Sequence, residues 1–386
     1  MKNVSSIDKF LNDITLCNRS RCGFCKTGCA TYAVSTLEPL SARGRNTLAM
    51  AIIDGVVEES DILVEKFLTC TLCGFCKEIC PLQINTPEIV ETFRRHFIKK
   101  GFHNLYVKKL VSNIKKYSNP YGEPREIRTM WARNLSFSKK SKTLFYSGCV
   151  YPYRYPEVLK STVQIIHGTA NVSMNFAEQE ELCCGYPLFV AGYQEEFEEV
   201  VKENTKLFLK NSIETIITAC PSCAETFSKY IEYNGQADFK VYHVVEYLSE
   251  LIDNNGFDVE VTIDFPLKVT YHDPCHLARY KRVINEPRKI IRSIAGLEFR
   301  EMRHAKFEAQ CCGGGGGMLV VEPRLSMEVA KNRLKEAAET GADVIITACP
   351  TCKNMFDLAI KRGKDKLSTL DIFELLERAI KAGRRI

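Results

Sequence analysis

Nowhere in the 386-residue chain does an uncharged apolar run approach the ~18 residues needed to span a bilayer. No membrane-spanning helix is expected, and attachment to the inner face of a membrane is expected only through a partner. The opening Met-Lys-Asn-Val-Ser-Ser-Ile-Asp has no apolar h-region behind its lysine, so the expected location is cytoplasmic. No Gly-x-Gly-x-x-Gly follows a strand-like run, which leaves no nucleotide or flavin fingerprint. The run Gly313–Gly317 is no P-loop, because no Gly-Lys-Ser/Thr follows it. Nucleic-acid binding has no recognisable module behind it. Nor is any cysteine left over: all 18 fall into four compact sets.

Hydrophobic content of 45% and charged content of 26% are ordinary for a soluble globular protein. The length allows two or three domains with real cores. Clustered cysteines in a reducing compartment are metal ligands more often than disulfides. The net charge of +6 is uneven, with 23 Lys/Arg against 13 Asp/Glu in residues 1–142 and 30 against 34 in the remainder. Sites ligated by four thiolates are anionic, and nearby basic residues offset them.

The first chemistry sits near the N-terminus. Cys70-x2-Cys73-x2-Cys76-x3-Cys80-Pro81 has the spacing of 4Fe–4S ligation in ferredoxins. Its partner, Cys17-x4-Cys22-x2-Cys25-x3-Cys29, has a longer first gap and Ala30 where proline is usual. By the usual exchange of the fourth ligand, one cubane cluster takes Cys17, Cys22, Cys25 and Cys80. The other takes Cys70, Cys73, Cys76 and Cys29. A pair of zinc sites is the weaker alternative, since x2-x2-x3 is not a zinc-ribbon spacing. The stretch Ser41–Lys66 between the runs has apolar residues at three- and four-residue steps, which points to an α-helical ferredoxin.

The expected organisation is α+β and multidomain. Residues 1–100 form the helical ferredoxin. Residues 101–142 are a connector, with an amphipathic helix through Phe102, Leu105, Tyr106, Leu110, Ile114 and Tyr117 and then the turn-rich NPYGEPRE. Residues 143–262 and 263–386 are duplicated α/β units. The octets Ile216–Cys223 and Ile345–Cys352 differ at one position, and each copy opens on a strand, Thr143–Ser147 or Leu267–His272, that runs into a cysteine. Every cysteine of the repeat is expected at a strand end or a helix start, where a helix N-terminus favours thiolate.

Each copy holds five cysteines: Cys149, Cys183, Cys184, Cys220 and Cys223 in the first, and Cys275, Cys311, Cys312, Cys349 and Cys352 in the second. Five thiolates exceed what tetrahedral zinc or a cubane cluster needs, so a larger, bridged site is the natural reading. The glycine after each Cys-Cys pair allows close backbone approach to a bulky core.

This pattern resembles the CCG domain of heterodisulfide reductases, and its fusion to a helical ferredoxin resembles the D subunit of that family. The resemblance spans essentially the whole chain, including Ser41-Ala42-Arg43-Gly44, NPYGEPRE, the YSGC that ends in Cys149 and the YHDPCHLAR around Cys275. Related proteins include iron–sulfur subunits of glycolate oxidase, lactate-utilisation enzymes and anaerobic glycerol-3-phosphate dehydrogenase. The resemblance implies two cubane and two noncubane 4Fe–4S clusters, one noncubane cluster per five-cysteine set. It also implies cleavage of a small disulfide in one-electron steps, which makes all ten of these cysteines catalytic candidates. A flavoprotein, cytochrome b or ferredoxin partner completes the circuit. The rival reading is a pure relay, serving a flavin-dependent glycolate, lactate or glycerol-3-phosphate dehydrogenase. A zinc or redox-sensing module without turnover is the weakest reading.

Other residues carry smaller expectations. His276, next to a ligand, is the candidate proton donor for the thiolate products. Asp273 is expected to cap the helix that carries Cys275, and His272 to pack locally. The glycine run either cradles the cluster sulfides with its amides or leaves room for substrate, against the plainer reading of a flexible turn. Lys99, Lys100, Lys108, Lys109, Lys115 and Lys116 are expected on the solvated side of the connector helix, with docking of an acidic partner as the alternative.

Overall fold

The computed structural model describes residues 7–170, 172–255, 262–363 and 367–383. Short helices build the N-terminal part. The stretch Ser41–Lys66 divides into helices Ala42–Ile53 and Asp61–Leu68, because the first ends at its C-cap Asp54 and Gly55 turns the backbone away at a φ of 67°. Both helices start on a serine whose hydroxyl accepts from a backbone N–H, Ser41 from Gly44 and Ser60 from Leu63. Helix Thr86–Lys99 then buries Ile89, Val90, Phe93 and Phe97, with Phe93 and Phe67 stacked at 5.1 Å. The connector helix runs Leu105–Tyr117 and is capped by the Asn104 side chain; a second short helix, Arg125–Thr129, lies within the turn-rich stretch.

Two parallel sheets follow. Strands β1 (Thr143–Tyr146), β2 (Thr215–Thr218) and β3 (Lys240–His243) lie in sequence order, with Ile216 paired to Leu144 and Val241. Strands β4 (Thr262–His272), β5 (Ala295–Phe299), β6 (Val344–Thr347) and β7 (Ser368–Asp371) follow the order β5-β4-β6-β7. The first sheet has a vestige of its missing edge: Phe145 N–H donates to Asn175 O, and Asn175 N–H donates to Thr143 O. Both halves thus follow one plan, a central strand pair flanked by helices, as parallel strands buried on both faces require. One apolar cluster joins Phe145, Ile217 and Val244 of the first half to Val269, Ile346 and Ile372 of the second. The two copies therefore share a core.

A matched cap supports the duplication. Asp371 N–H donates to the Glu374 carboxylate while Phe373 N–H donates to Asp371 Oδ1, a reciprocal capping box at the end of β7. At the end of β3, His243 N–H donates to Glu246 and Val245 N–H to His243 Nδ1. Among the described residues, no helix is long and apolar enough to cross a membrane.

Candidate functional site

Near the N-terminus the thiols of the two runs neighbour one another. Cys17 ends in the last turn of helix Leu11–Ser20 and accepts from Asn46 Nδ2 at 3.2 Å; Cys80 and Cys22 lie close enough to raise its thiol further, after burial. Burial pushes Cys25 up to about 12. Burial and then Cys70, Cys73 and Cys29 hold Cys76 well above its ordinary value. Cys22 is exposed, in contrast to every other cysteine of the chain.

In the duplicated half, Cys149, Cys220 and Cys349 each stand at a helix N-cap, and Cys275 precedes a single π-helical turn, His276–Tyr280. Gly185 N–H donates to Cys183 Sγ at 3.4 Å and Gly313 N–H to Cys311 Sγ at 3.3 Å, so the two copies match bond for bond. Both glycines have positive φ, 85° and 87°. A Cβ on Gly185 would lie 2.7 Å from the Phe197 ring, and one on Gly313 2.4 Å from Ser326 O. Packing against the following helix therefore demands these glycines, beyond any approach to an inorganic core.

Within each set the thiols touch. The Cys184 thiol lies against those of Cys183 and Cys223, and Cys220 against Cys223, all as free cysteines. In the second set the thiols of Cys275, Cys311, Cys312, Cys352 and Cys349 neighbour one another in that order, and Cys311 also neighbours Cys73 of the ferredoxin run. Burial and mutual repulsion raise Cys149, through Cys184 and Cys220, and likewise Cys352. Such crowded thiols ionise together only around a cationic centre, which deprotonates its ligands outright. The donor sets thus fit iron–sulfur clusters. His272 adds a second sign. Its Nε2 is buried without an oxygen or nitrogen partner, and a ring nitrogen of His272 lies within 4.8 Å of the Cys312 and Cys352 sulfurs.

Several expectations need correction. Asp273 caps no helix: Arg288 grips it with two bonds of 2.7 and 2.8 Å, and Lys306 N–H donates to it at 2.7 Å. The glycine run is no loose turn, and only its first amide, that of Gly313, reaches a ligand sulfur. A Cβ on Gly315 would fall 2.8 Å from Thr71 O, and one on Gly316 2.3 Å from Cys70 O, so the run lies backbone to backbone against the ferredoxin loop. The six connector lysines are exposed, as a solvated helix face requires.

Residues without any sequence signal complete the assembly. Buried Arg94 donates to the carbonyls of Phe67, Leu68, Cys70, Val190 and Gly316, tying three segments together. Arg279 Nε donates to Cys73 O at 2.6 Å, and Tyr280 OH to Leu72 O at 2.7 Å. Glu181 accepts from the Ser147 and Gly148 amides and the Ser147 hydroxyl, fixing the turn before Cys149; burial raises its carboxyl to about 7. An arginine or glutamate in a loop shows nothing of this from its neighbours in sequence.

A cavity of about 390 Å³ opens on Cys149, Cys184, Cys220 and Cys223. The connector helix, the Gly314–Gly317 stretch and Thr351 close its other sides. Tyr186 lines it and shares a 2.8 Å hydrogen bond with His276 Nε2, whose ring stacks on Tyr280 and whose Nδ1 lies 3.5 Å from Glu225. His276 itself stands behind Tyr186 and not in the lining.

Comparison with known proteins agrees with this geometry. A cysteine-rich domain model, CCG, matches residues 143–228 and 269–357, and a 4Fe-4S dicluster domain model matches residues 15–84. The D subunit of the dihydromethanophenazine:CoB--CoM heterodisulfide reductase of Methanosarcina mazei is 30% identical across 98% of this chain and 96% of its own. The chain belongs to the family of heterodisulfide reductase D subunits. Within the family's wider circle, the B subunit of the fumarate reductase (CoM/CoB) of Methanothermobacter marburgensis is 31% identical over 82% of this chain and 62% of its own. A probable glycolate oxidase iron-sulfur subunit of Bacillus subtilis is 26% identical over 90% of this chain and 89% of its own. Membership makes the chain an iron–sulfur oxidoreductase subunit whose cofactors are 4Fe–4S clusters.

Proposed function

We propose that this chain is the subunit of an oxidoreductase at which a small disulfide is reduced to two thiols, RSSR + 2e⁻ + 2H⁺ → 2RSH. The electrons come from a partner flavoprotein, cytochrome b or ferredoxin. The observation that carries this reading is that both five-cysteine sets stand complete, matched through the Gly185 and Gly313 amides on Cys183 and Cys311. A cavity of about 390 Å³, part of which a cluster on the first set would fill, opens between the two copies.

In this reading Cys17, Cys22, Cys25 and Cys80 hold one cubane cluster, and Cys29, Cys70, Cys73 and Cys76 the other. Each five-cysteine set holds a noncubane cluster. The bound clusters supply the one-electron steps that a disulfide needs for stepwise cleavage. Around them the protein binds, orients and excludes water. The connector helix and Thr351 wall the cavity, and Glu181 holds the turn that aims Cys149. Tyr186 Oη and His276 Nε2 share a proton at the cavity wall, where a thiolate product must be protonated.

The test is iron, acid-labile sulfide and zinc per chain on anaerobically purified protein, followed by a screen of disulfides with a reduced dye as donor. Roughly 16 irons, no zinc and dye-dependent thiol release are expected. Roughly 8 irons, with no disulfide turnover but with activity on glycolate or lactate when a flavoprotein is added, would overturn the proposal in favour of the relay.

A further inference from the structure

The matched caps at the ends of β3 and β7 do more than start helices. His243 of the first copy and Asp371 of the second hold equivalent places, and both are fully buried. A cap needs one acceptor atom for its own helix. His243 provides it with Nδ1, which accepts from Val245 N–H at 3.3 Å. Nε2 therefore carries the proton, and it donates to Ala219 O at 2.9 Å. The same ring stands close enough to the Ala348 backbone of the other copy to interact with it as well. Burial keeps the imidazole neutral, holding its pKa down at about 3, so Nδ1 stays an acceptor. Asp371 likewise caps with Oδ1 and turns Oδ2 across the boundary, where it accepts from the Tyr151 hydroxyl of the first copy.

The partners of these two side chains sit at telling places. Ala219 and Ala348 each precede the first cysteine of a Cys-Pro-x-Cys segment, and Tyr151 follows Cys149 by two residues. Cys220 and Cys349 lie near enough for their charges to interact. From these strand ends both segments run into the cavity wall. The first copy gives it Cys220, Ser222 and Cys223, and the second gives it Thr351 and Asn354. A strand end so close to a wall passes its own displacement to that wall, since a packed interior has little room to absorb it. The spacing of the strand ends therefore sets the gap between the two segments.

Resting on the disulfide chemistry proposed above, we propose that His243 and Asp371 are positioning residues, a paired brace that fixes this gap and with it the fit of the disulfide between the copies. Neither side chain lines the cavity. They act through Ala219, Ala348 and Tyr151. A misplacement of about 1 Å in such a fit costs on the order of a hundredfold in rate, so the brace governs turnover more than binding.

The test uses the full, cluster-loaded chain, bis(2-hydroxyethyl) disulfide as the probe substrate and a reduced dye as donor. His243→Phe keeps a ring and removes both nitrogens, and His243→Gln returns an N–H near the place of Nε2. His243→Phe is expected to lower kcat at least about tenfold, with KM for the probe within about twofold and iron per chain unchanged. His243→Gln is expected to recover most of that loss. Electron paramagnetic resonance of the partly reduced chain reads the gap without turnover, because two neighbouring paramagnetic centres split each other's signals. His243→Phe is expected to blur this splitting and His243→Gln to restore it. Tyr151→Phe removes a single oxygen from the other arm, which keeps the test decisive if His243→Phe fails to fold. It is expected to lower kcat at least about threefold at unchanged KM. Equal losses in His243→Phe and His243→Gln, unchanged kcat in His243→Phe or Tyr151→Phe, or a splitting that is absent or does not respond overturns the brace. No disulfide turnover by the unmutated chain, or roughly 8 irons in it, overturns instead the reading on which the brace rests.

Discussion

The imidazole of His272 is the clearest case of one side chain whose partners decide its chemistry. With Arg333 on Nδ1, Nε2 carries the remaining N–H, and a ring nitrogen of His272 lies within 4.8 Å of the Cys312 and Cys352 sulfurs. A donor to sulfur stabilises the more negative, reduced state, so it raises the potential. His272→Phe keeps the ring against Phe356, where the two now meet edge to face at 4.9 Å. The variant is expected to lower the midpoint potential of one cluster and leave the others in place, as read by a redox titration followed spectroscopically. Asp371 offers a second test at this scale. It accepts from Tyr151 and Phe373, and burial pushes its carboxyl from 3.8 up to about 7. A carboxyl raised in the fold favours folding while protonated. Its contribution is full below about pH 4 and is lost as pH climbs through 7. Asp371→Asn is expected to flatten that part of the stability profile, measured by anaerobic chemical denaturation between those limits. Neither residue could be understood from its neighbours in the chain. Asp273 shows why: beside a ligand cysteine and before a helix it reads as a cap, and only folding brings Arg288 to it.

Elements were more legible than contacts. The strands before Cys149, Cys220 and Cys349 are short apolar runs and stand where the pattern puts them, whereas β4, expected over Leu267–His272, starts five residues earlier at Thr262. Strands β3 and β5 carry mixed, largely unburied sequences such as Ala295–Phe299, and β7, though mostly buried, is polar at three of its four positions; their pairing comes from the neighbouring strand more than from their own composition. Helices Ala42–Ile53 and Asp61–Leu68 read as one stretch, because apolar spacing carries across the break at Asp54 and Gly55. The glycine run is the hardest of all, since its reason lies at Cys70 and Thr71, far away in sequence. Gly316→Ala would combine a strained φ of 60° with a Cβ 2.3 Å from Cys70 O. It is expected to cost more than ~1 kcal/mol of stability. It should also slow the passage of electrons beyond the ferredoxin clusters, seen as delayed reduction of the other two centres in rapid mixing.

At the scale of the molecule, the ferredoxin and the duplicated half are one redox unit. Arg94 joins Phe67, Leu68 and Cys70 to Val190 and Gly316, and the apolar cluster around Phe67, Phe93 and Phe97 continues into Tyr146, Phe197 and Phe227. Arg94→Met would strand several buried carbonyls. A loss of at least ~3 kcal/mol is expected, with both parts melting together, in calorimetry under argon. The opposite end is open to solvent. Cys22 is exposed between exposed Arg19, Arg21 and Phe24. The double change Arg19→Glu and Arg21→Glu is expected to weaken docking of an acidic donor about tenfold at low salt and less at high salt, leaving dye-driven turnover intact.

The exposed Cys22 has a consequence for survival in air. Dioxygen and peroxide reach a metal–sulfur centre soonest where its sulfur meets solvent. A centre held by Cys22 is therefore expected to decay first, while one ringed by buried Cys311, Cys312 and Cys352 stays sheltered. Aerated protein is then expected to lose iron from its N-terminal part while the cavity beside Cys149 remains whole.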